Sequence, residues 1–231
     1  MSYYAKLAIF YIFATQNTGS DTKLAAPVMK IKPIGLIKKL YPSFIWNFPD
    51  EKDGVFLTFD DGPRPEVTPW VLDLLDKYDA KATFFCIGKN VELFPELYQE
   101  IIDRGHAVGN HSYSHVKGWG MPTGDYIRDI DIAADTIRSN LFRPPYARIG
   151  INQARMLAER YKIIMWNIIS RDYNSTISGA RCARNVIPHI QPGDIIVFHN
   201  SIKSANNMFY ALPLVMEAIK EKGLICKKIE L

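Results

Sequence analysis

His111 and His115 stand four residues apart in a chain of 231 residues that holds only five histidines. On a helical turn that spacing puts both imidazoles on one face, within reach of one cation. Two surface histidines at this spacing also occur by chance, so the pair alone is a moderate signal. Asp60 and Asp61 form a second unusual pair. Adjacent carboxylates repel, and one of them would normally have its pKa raised. A divalent cation beside one and a guanidinium beside the other would keep both ionised. Strand neighbours point to opposite faces, but Gly62-Pro63 ends the strand, so the backbone can turn and aim both inward. Taken alone, Asp-Asp-Gly-Pro reads first as a solvated loop or a helix cap.

The elements around these residues give them a common place. Strand-like runs are predicted at 55–59, 82–87, 107–110, 141–142, 161–166, 194–198 and 224–229. Between them, apolar residues at helical spacing predict helices over 65–78, 91–104, 126–139, 152–160, 181–190 and 208–223. Strands alternating with helices imply an α/β chain with a parallel sheet and helical crossovers. About seven such units in ~180 residues suit a compact (β/α) barrel better than two Rossmann halves. No Gly-x-Gly-x-x-Gly follows the first strand, and no phosphate-binding P-loop occurs. Asp60 and Asp61 end the first predicted strand. Asn110, His111 and His115 follow the third, Arg143 the fourth, Asp172 the fifth, and His199 ends the sixth. In a (β/α) barrel these strand ends meet at one mouth, where active sites form.

Composition bounds the rest. Hydrophobic residues make up 48% and charged residues 23%, as in an ordinary globular domain, which excludes global disorder and a polytopic membrane protein. A net charge of +4 is too weak to argue for a nucleic-acid partner. Cys86, Cys182 and Cys226 are far apart and odd in number, which speaks against disulfides or a cysteine–zinc site. At the amino terminus, Lys6 precedes the apolar stretch Leu7–Ala14, far short of the ~20 residues that span a bilayer. It reads as a weak signal peptide or an ordinary terminal segment. Residues 17–22 read as a linker. The mixed basic and apolar segment Val28–Trp46 suits a leader packed on the domain better than a membrane-surface helix, because Pro33 and Pro42 interrupt it.

The motifs Thr58-Phe59-Asp60-Asp61-Gly62, His111-Ser112-Tyr113-Ser114-His115, Arg143-Pro144-Pro145-Tyr146 and Val197-Phe198-His199 resemble those of the NodB-type polysaccharide deacetylases. These are metal-dependent carbohydrate esterases that remove N- or O-acetyl groups. The resemblance covers about Val55 to Ile229 and divides the chain into a leader, 1–50, and a catalytic domain, 51–231. It implies a distorted, incomplete (β/α) barrel of about seven parallel strands, in agreement with the alternation above. It implies a metal held by Asp61, His111 and His115, most often zinc, although the donor set also suits cobalt, nickel or iron. Asp60 would be the general base on the attacking water, with Arg143 pairing to it. His199 would be the general acid, and Asp172 would hydrogen-bond to His199 and raise its pKa. The Tyr146 N–H would help bind the oxyanion. The implied substrate is an N-acetylated amino sugar of a polysaccharide or cell-envelope glycan. An O-acetylated glycan such as xylan, or glycan binding without turnover, is the alternative.

The chain departs from that pattern in places. Ile169-Ser170-Arg171-Asp172-Tyr173 keeps only the second carboxylate of the usual Asp-x-x-Asp-Trp. Tyr173 replaces a tryptophan that walls the acetyl pocket, and Val197 replaces a leucine. Ala147 stands where glycine normally follows the tyrosine. If that position needs positive φ, alanine costs about 1 kcal/mol. Asn200 stands where aspartate is common. His106 reads as a core histidine rather than a ligand, and His189 as solvated near a helix end. Trp166 reads as core, and Trp119, in the loop after His115, as a candidate sugar contact.

Overall fold

The computed structural model describes residues 41–231. The apolar stretch Leu7–Ala14, the linker and most of the basic segment therefore lie outside the described residues. Among the described residues no helix is long and apolar enough to cross a membrane.

The chain runs β1 (Gly54–Asp60), α1 (Thr68–Lys77), β2 (Thr83–Cys86), α2 (Gly88–Leu93), α3 (Pro95–Asp103), β3 (Ala107–Asn110), α4 (Thr123–Ala134), β4 (Leu141–Phe142), α5 (Ile151–Ala158), β5 (Lys162–Ile163), β6 (Ile168–Ile169), α6 (Gly179–Val186), β7 (Ile195–His199), α7 (Ile202–Glu221) and β8 (Ile225–Cys226). Seven strands pair in the order β5-β4-β3-β2-β1-β7-β6, and β8 pairs with the start of β1. Every pair is parallel. The result is the expected curled, incomplete (β/α) barrel.

Alternation along the strands sorts side chains into two populations. Val55, Leu57 and Phe59 of β1 join the outer core with helix residues such as Val71, Leu75 and Leu212. Phe56, one step out of phase, joins an inner cluster with Phe85, Leu141, Ile164, Ile195 and Ile229. The inner cluster is apolar, while residues further along the same inward faces are polar. Thr58 and Asp60 of β1 bond to Arg143, just past β4. Gly109 on β3 lets Phe85 fill the interior, since a Cβ there would lie 2.5 Å from its ring.

Several predicted elements are subdivided. The helix expected over 91–104 is two, α2 and α3, broken at Phe94 (φ −136°, ψ 58°). Pro95 disfavours a helical conformation in the residue before it, and itself suits a helix start. The strand expected over 161–166 is only β5, and β6 follows as a separate strand on the far edge of the sheet. Two-residue strands are too short to show a period. The helix expected from 208 begins at Ile202 and carries Pro213 inside it.

Residues just before β1 lie along the side where β5 and β6 do not pair. Ile45 bridges Ile164, and Asn47 bridges Asp194 ahead of β7. Phe44 and Trp46 are buried in a cluster with Tyr126, Phe142 and Tyr161. The three cysteines are all free thiols.

Candidate active site

Asp60 ends β1 with its side chain inward and nearly buried, and its register neighbour on β7 is His199. Asp61 follows at φ 77°, a left-handed turn that swings its carboxylate towards the same mouth. The turn is gripped from several sides. Asn200 N–H donates to the Asp60 carbonyl at 2.6 Å, Asn90 Nδ2 to the Asp61 carbonyl at 2.7 Å, and Ile87 N–H to the Gly62 carbonyl at 2.9 Å. Asn200 also bonds Thr68 Oγ1 at 2.9 Å and packs so close to Gly62 that a Cβ there would lie 2.4 Å from it. Asn200 thus acts as a structural clamp on the Asp60–Gly62 turn.

Arg143 is fully buried beneath this turn. Its Nη1 donates to Asp60 Oδ1 at 2.7 Å and Thr58 Oγ1 at 2.8 Å, while Nε and Nη2 donate to the carbonyls of Ile164 and Met165. The guanidinium lies 4.1 Å over the Phe85 ring. Burial pushes the Arg143 pKa down and Asp60 opposes that shift. A buried charge needs this degree of pairing. Thr58 was missed as a site residue, although its position two before Asp60 places it on the same strand face.

His111 and His115 do share one side of the site, but no helix puts them there. Residues 111–115 form a loop, with Ser112 (φ 61°) and His115 (φ 57°) both left-handed. His111 Nδ1 donates to the Arg143 carbonyl at 2.7 Å, which leaves the Nε2 lone pair facing the site. His111 Nε2 lies 3.6 Å, and His115 Nε2 3.1 Å, from Asp61 Oδ1. That buried oxygen accepts no hydrogen bond. An oxygen and a nitrogen lone pair facing each other in a buried site repel unless a cation lies between them. One donor atom from each of the three residues falls within 4.8 Å of the others, so the set fits a divalent metal. Burial pushes His111 down to about 4, keeping it neutral and able to ligate. Burial works against ionisation of Asp61, but His115 beside it and the positive charge of His199 outweigh burial and hold the carboxyl well below its usual range.

On the opposite wall, Asp172 Oδ1 accepts from His199 Nδ1 at 2.7 Å. Asp172 is fully buried and also takes the Ser170 hydroxyl at 3.0 Å. Burial works against a charged His199, but the charge and hydrogen bond of Asp172 win, raising its pKa to about 9.

Tyr146 is exposed, with its ring 4.6 Å from that of His115. Tyr146 and Ala147 both have positive φ (58° and 53°), so the alanine does occupy the strained conformation expected of it. Tyr173 packs edge-on against His199 at 4.8 Å. Val197 is buried on β7, two residues before His199. Trp119 donates its indole N–H to the Ile149 carbonyl at 2.9 Å. His106 is a core histidine before β3, at the far end of the strands, its ring tilted against that of Phe84 at 5.4 Å. Burial pushes it down to about 4.

Comparison with known proteins finds relatives in both sequence and fold. A polysaccharide deacetylase family model matches residues 48–162, which include both aspartates, both histidines, Arg143 and Tyr146. A peptidoglycan-N-acetylglucosamine deacetylase of Bacillus cereus is 33% identical over 190 residues, covering 78% of this chain and 68% of the relative. A solved peptidoglycan N-acetylglucosamine deacetylase superposes with a TM-score of 0.78 at 30% identity, covering 85% of this chain and 94% of that one. A CE4 family pseudoenzyme from Bacillus anthracis superposes with a TM-score of 0.70 at 25% identity, covering 84% and 69%.

Proposed function

We propose that this chain, which belongs to the polysaccharide deacetylase family, removes N-acetyl groups from the amino sugars of a cell-envelope glycan, with peptidoglycan as the substrate. The observation that carries the reading is the convergence of three groups at one barrel mouth. These are a paired carboxylate (Asp60), a ligand set that fits a divalent cation (Asp61, His111, His115) and a histidine held protonated (His199). The catalytic unit in this reading is residues 51–231.

Zinc, the metal the three ligands suit best, would polarise the acetyl carbonyl and lower the pKa of a water beside it. Asp60, positioned by its 2.7 Å hydrogen bond from Arg143 Nη1, takes the proton of the attacking water. The Tyr146 N–H helps to receive the oxyanion. His199, kept protonated by Asp172, gives its proton from Nε2 to the leaving amine. Tyr173 and Val197 wall the acetyl pocket, and Trp119 contacts the glycan beyond it.

The test is acetate release by the zinc-loaded protein from peptidoglycan, compared with acetylated xylan. Release from peptidoglycan is expected. Release from xylan alone would make the chain an O-acetyl esterase. No release from either would place it with the pseudoenzyme.

A further inference from the structure

We infer that Asp129, on α4, is a positioning residue for the metal-binding loop: its carboxylate holds the backbone between His111 and His115, and so the approach of both rings to Asp61. The inference rests on Asp61, His111 and His115 being the metal ligands. The loop makes no regular structure, and Ser112 and His115 are both left-handed without being glycine. Such a conformation persists only where its surroundings hold it. On one flank, Gly88 N–H and Lys89 N–H at the start of α2 donate to the Ser112 and Tyr113 carbonyls at 2.9 and 3.1 Å. On the other flank stands Asp129. Its Oδ1 accepts from Tyr113 N–H at 2.9 Å and Ser114 N–H at 3.1 Å, and its Oδ2 from the Ser114 hydroxyl at 2.7 Å. One carboxylate thus takes three donors from the residues between the two histidines. The next residue on α4, Ile130, receives Asn110 Nδ2 on its carbonyl at 3.0 Å, and Asn110 Oδ1 in turn takes Ser112 N–H at 2.8 Å. Tyr126, Ile130 and Ala133 anchor the helix in the core. The helix therefore fixes both the strand end before His111 and the loop after it, yet Asp129 is not among the clustered ligands.

The experiment measures zinc affinity by competition with a chromophoric chelator, and the zinc-induced rise in Tm, on the full chain. Asp129→Ala should weaken zinc by ~10–100-fold, the usual effect of losing an outer-shell partner. Asp129→Asn keeps an oxygen for the two N–H donors and should stay within about threefold of wild type. A purely structural role would lower the Tm of metal-free protein and leave zinc affinity unchanged. Wild-type affinity in Asp129→Ala overturns the inference, as does an Asn variant as weak as the Ala variant. If Asp129→Ala does not fold, Ser114→Ala carries the test, with a loss of about twofold to tenfold expected and unchanged affinity overturning it. A wild-type chain that binds no zinc overturns the ligand assignment as well, which separates that failure from failure of the inference alone.

Discussion

Asp172 holds His199 twice: Oδ1 takes the ring Nδ1–H at 2.7 Å, and Oδ2 takes the backbone N–H of the same residue at 2.7 Å. One buried carboxylate therefore sets both the position of the imidazole and its charge. Asp172→Asn should keep most of the position and lose the charge. With the pKa of His199 raised to about 9 in the folded chain, the alkaline limb of the pH–rate profile should move to lower pH in the variant. The acidic limb should hardly move. An unmoved alkaline limb on an amide substrate would show that His199 is not the general acid.

The same raised pKa links folding to pH. A histidine that binds its proton more tightly when folded contributes stability that is complete below its unfolded value of about 6.5. That contribution is lost as pH rises through about 9. Tm measured across this window should fall less in Asp172→Asn than in wild type.

Metal binding and proton abstraction should separate by mutation. His111→Ala removes one of the three proposed ligands and should lose the metal, read by elemental analysis. Asp60→Asn should keep it while turnover falls by at least ~100-fold. An Asp60→Asn protein that loses its metal, yet turns over after reconstitution, would exchange the roles of the two aspartates.

Arg143 and Asp60 form a buried pair, and removing one partner strands the other. Arg143→Met should destabilise the fold by about 3–5 kcal/mol, read from urea unfolding. A smaller loss would mean that water reaches Asp60 in the variant.

Ala147 sits at φ 53°, where a Cβ is strained. Ala147→Gly should stabilise the chain by about 0.5–1 kcal/mol, the relieved strain exceeding the extra unfolded-state entropy of glycine. A lower urea midpoint would show that the alanine methyl contributes packing that outweighs its strain.

Much of the site was legible in the sequence because barrel topology turns strand ends into neighbours. Asp60, Arg143 and His199 each close or follow a strand, so their order along the chain placed them at one mouth before any distance was known. The period-2 alternation of β1 likewise determined that Asp60 faces inward with Thr58. What the sequence could not show was conformation that depends on distant partners. His111 and His115 carry a spacing that suits a helix, yet they meet in a left-handed loop, because Asn110, Asp129 and the start of α2 satisfy its backbone from outside. β6 is two residues long, and only its pairing with β7 makes it a strand. The Phe44 and Trp46 side chains look like part of a basic leader until the cluster around Tyr126 and Phe142 buries them. Local pattern reports which residues can do chemistry and which face they occupy. Loop geometry and burial are decided by hydrogen bonds and packing from segments far away in the chain, which no window of sequence contains.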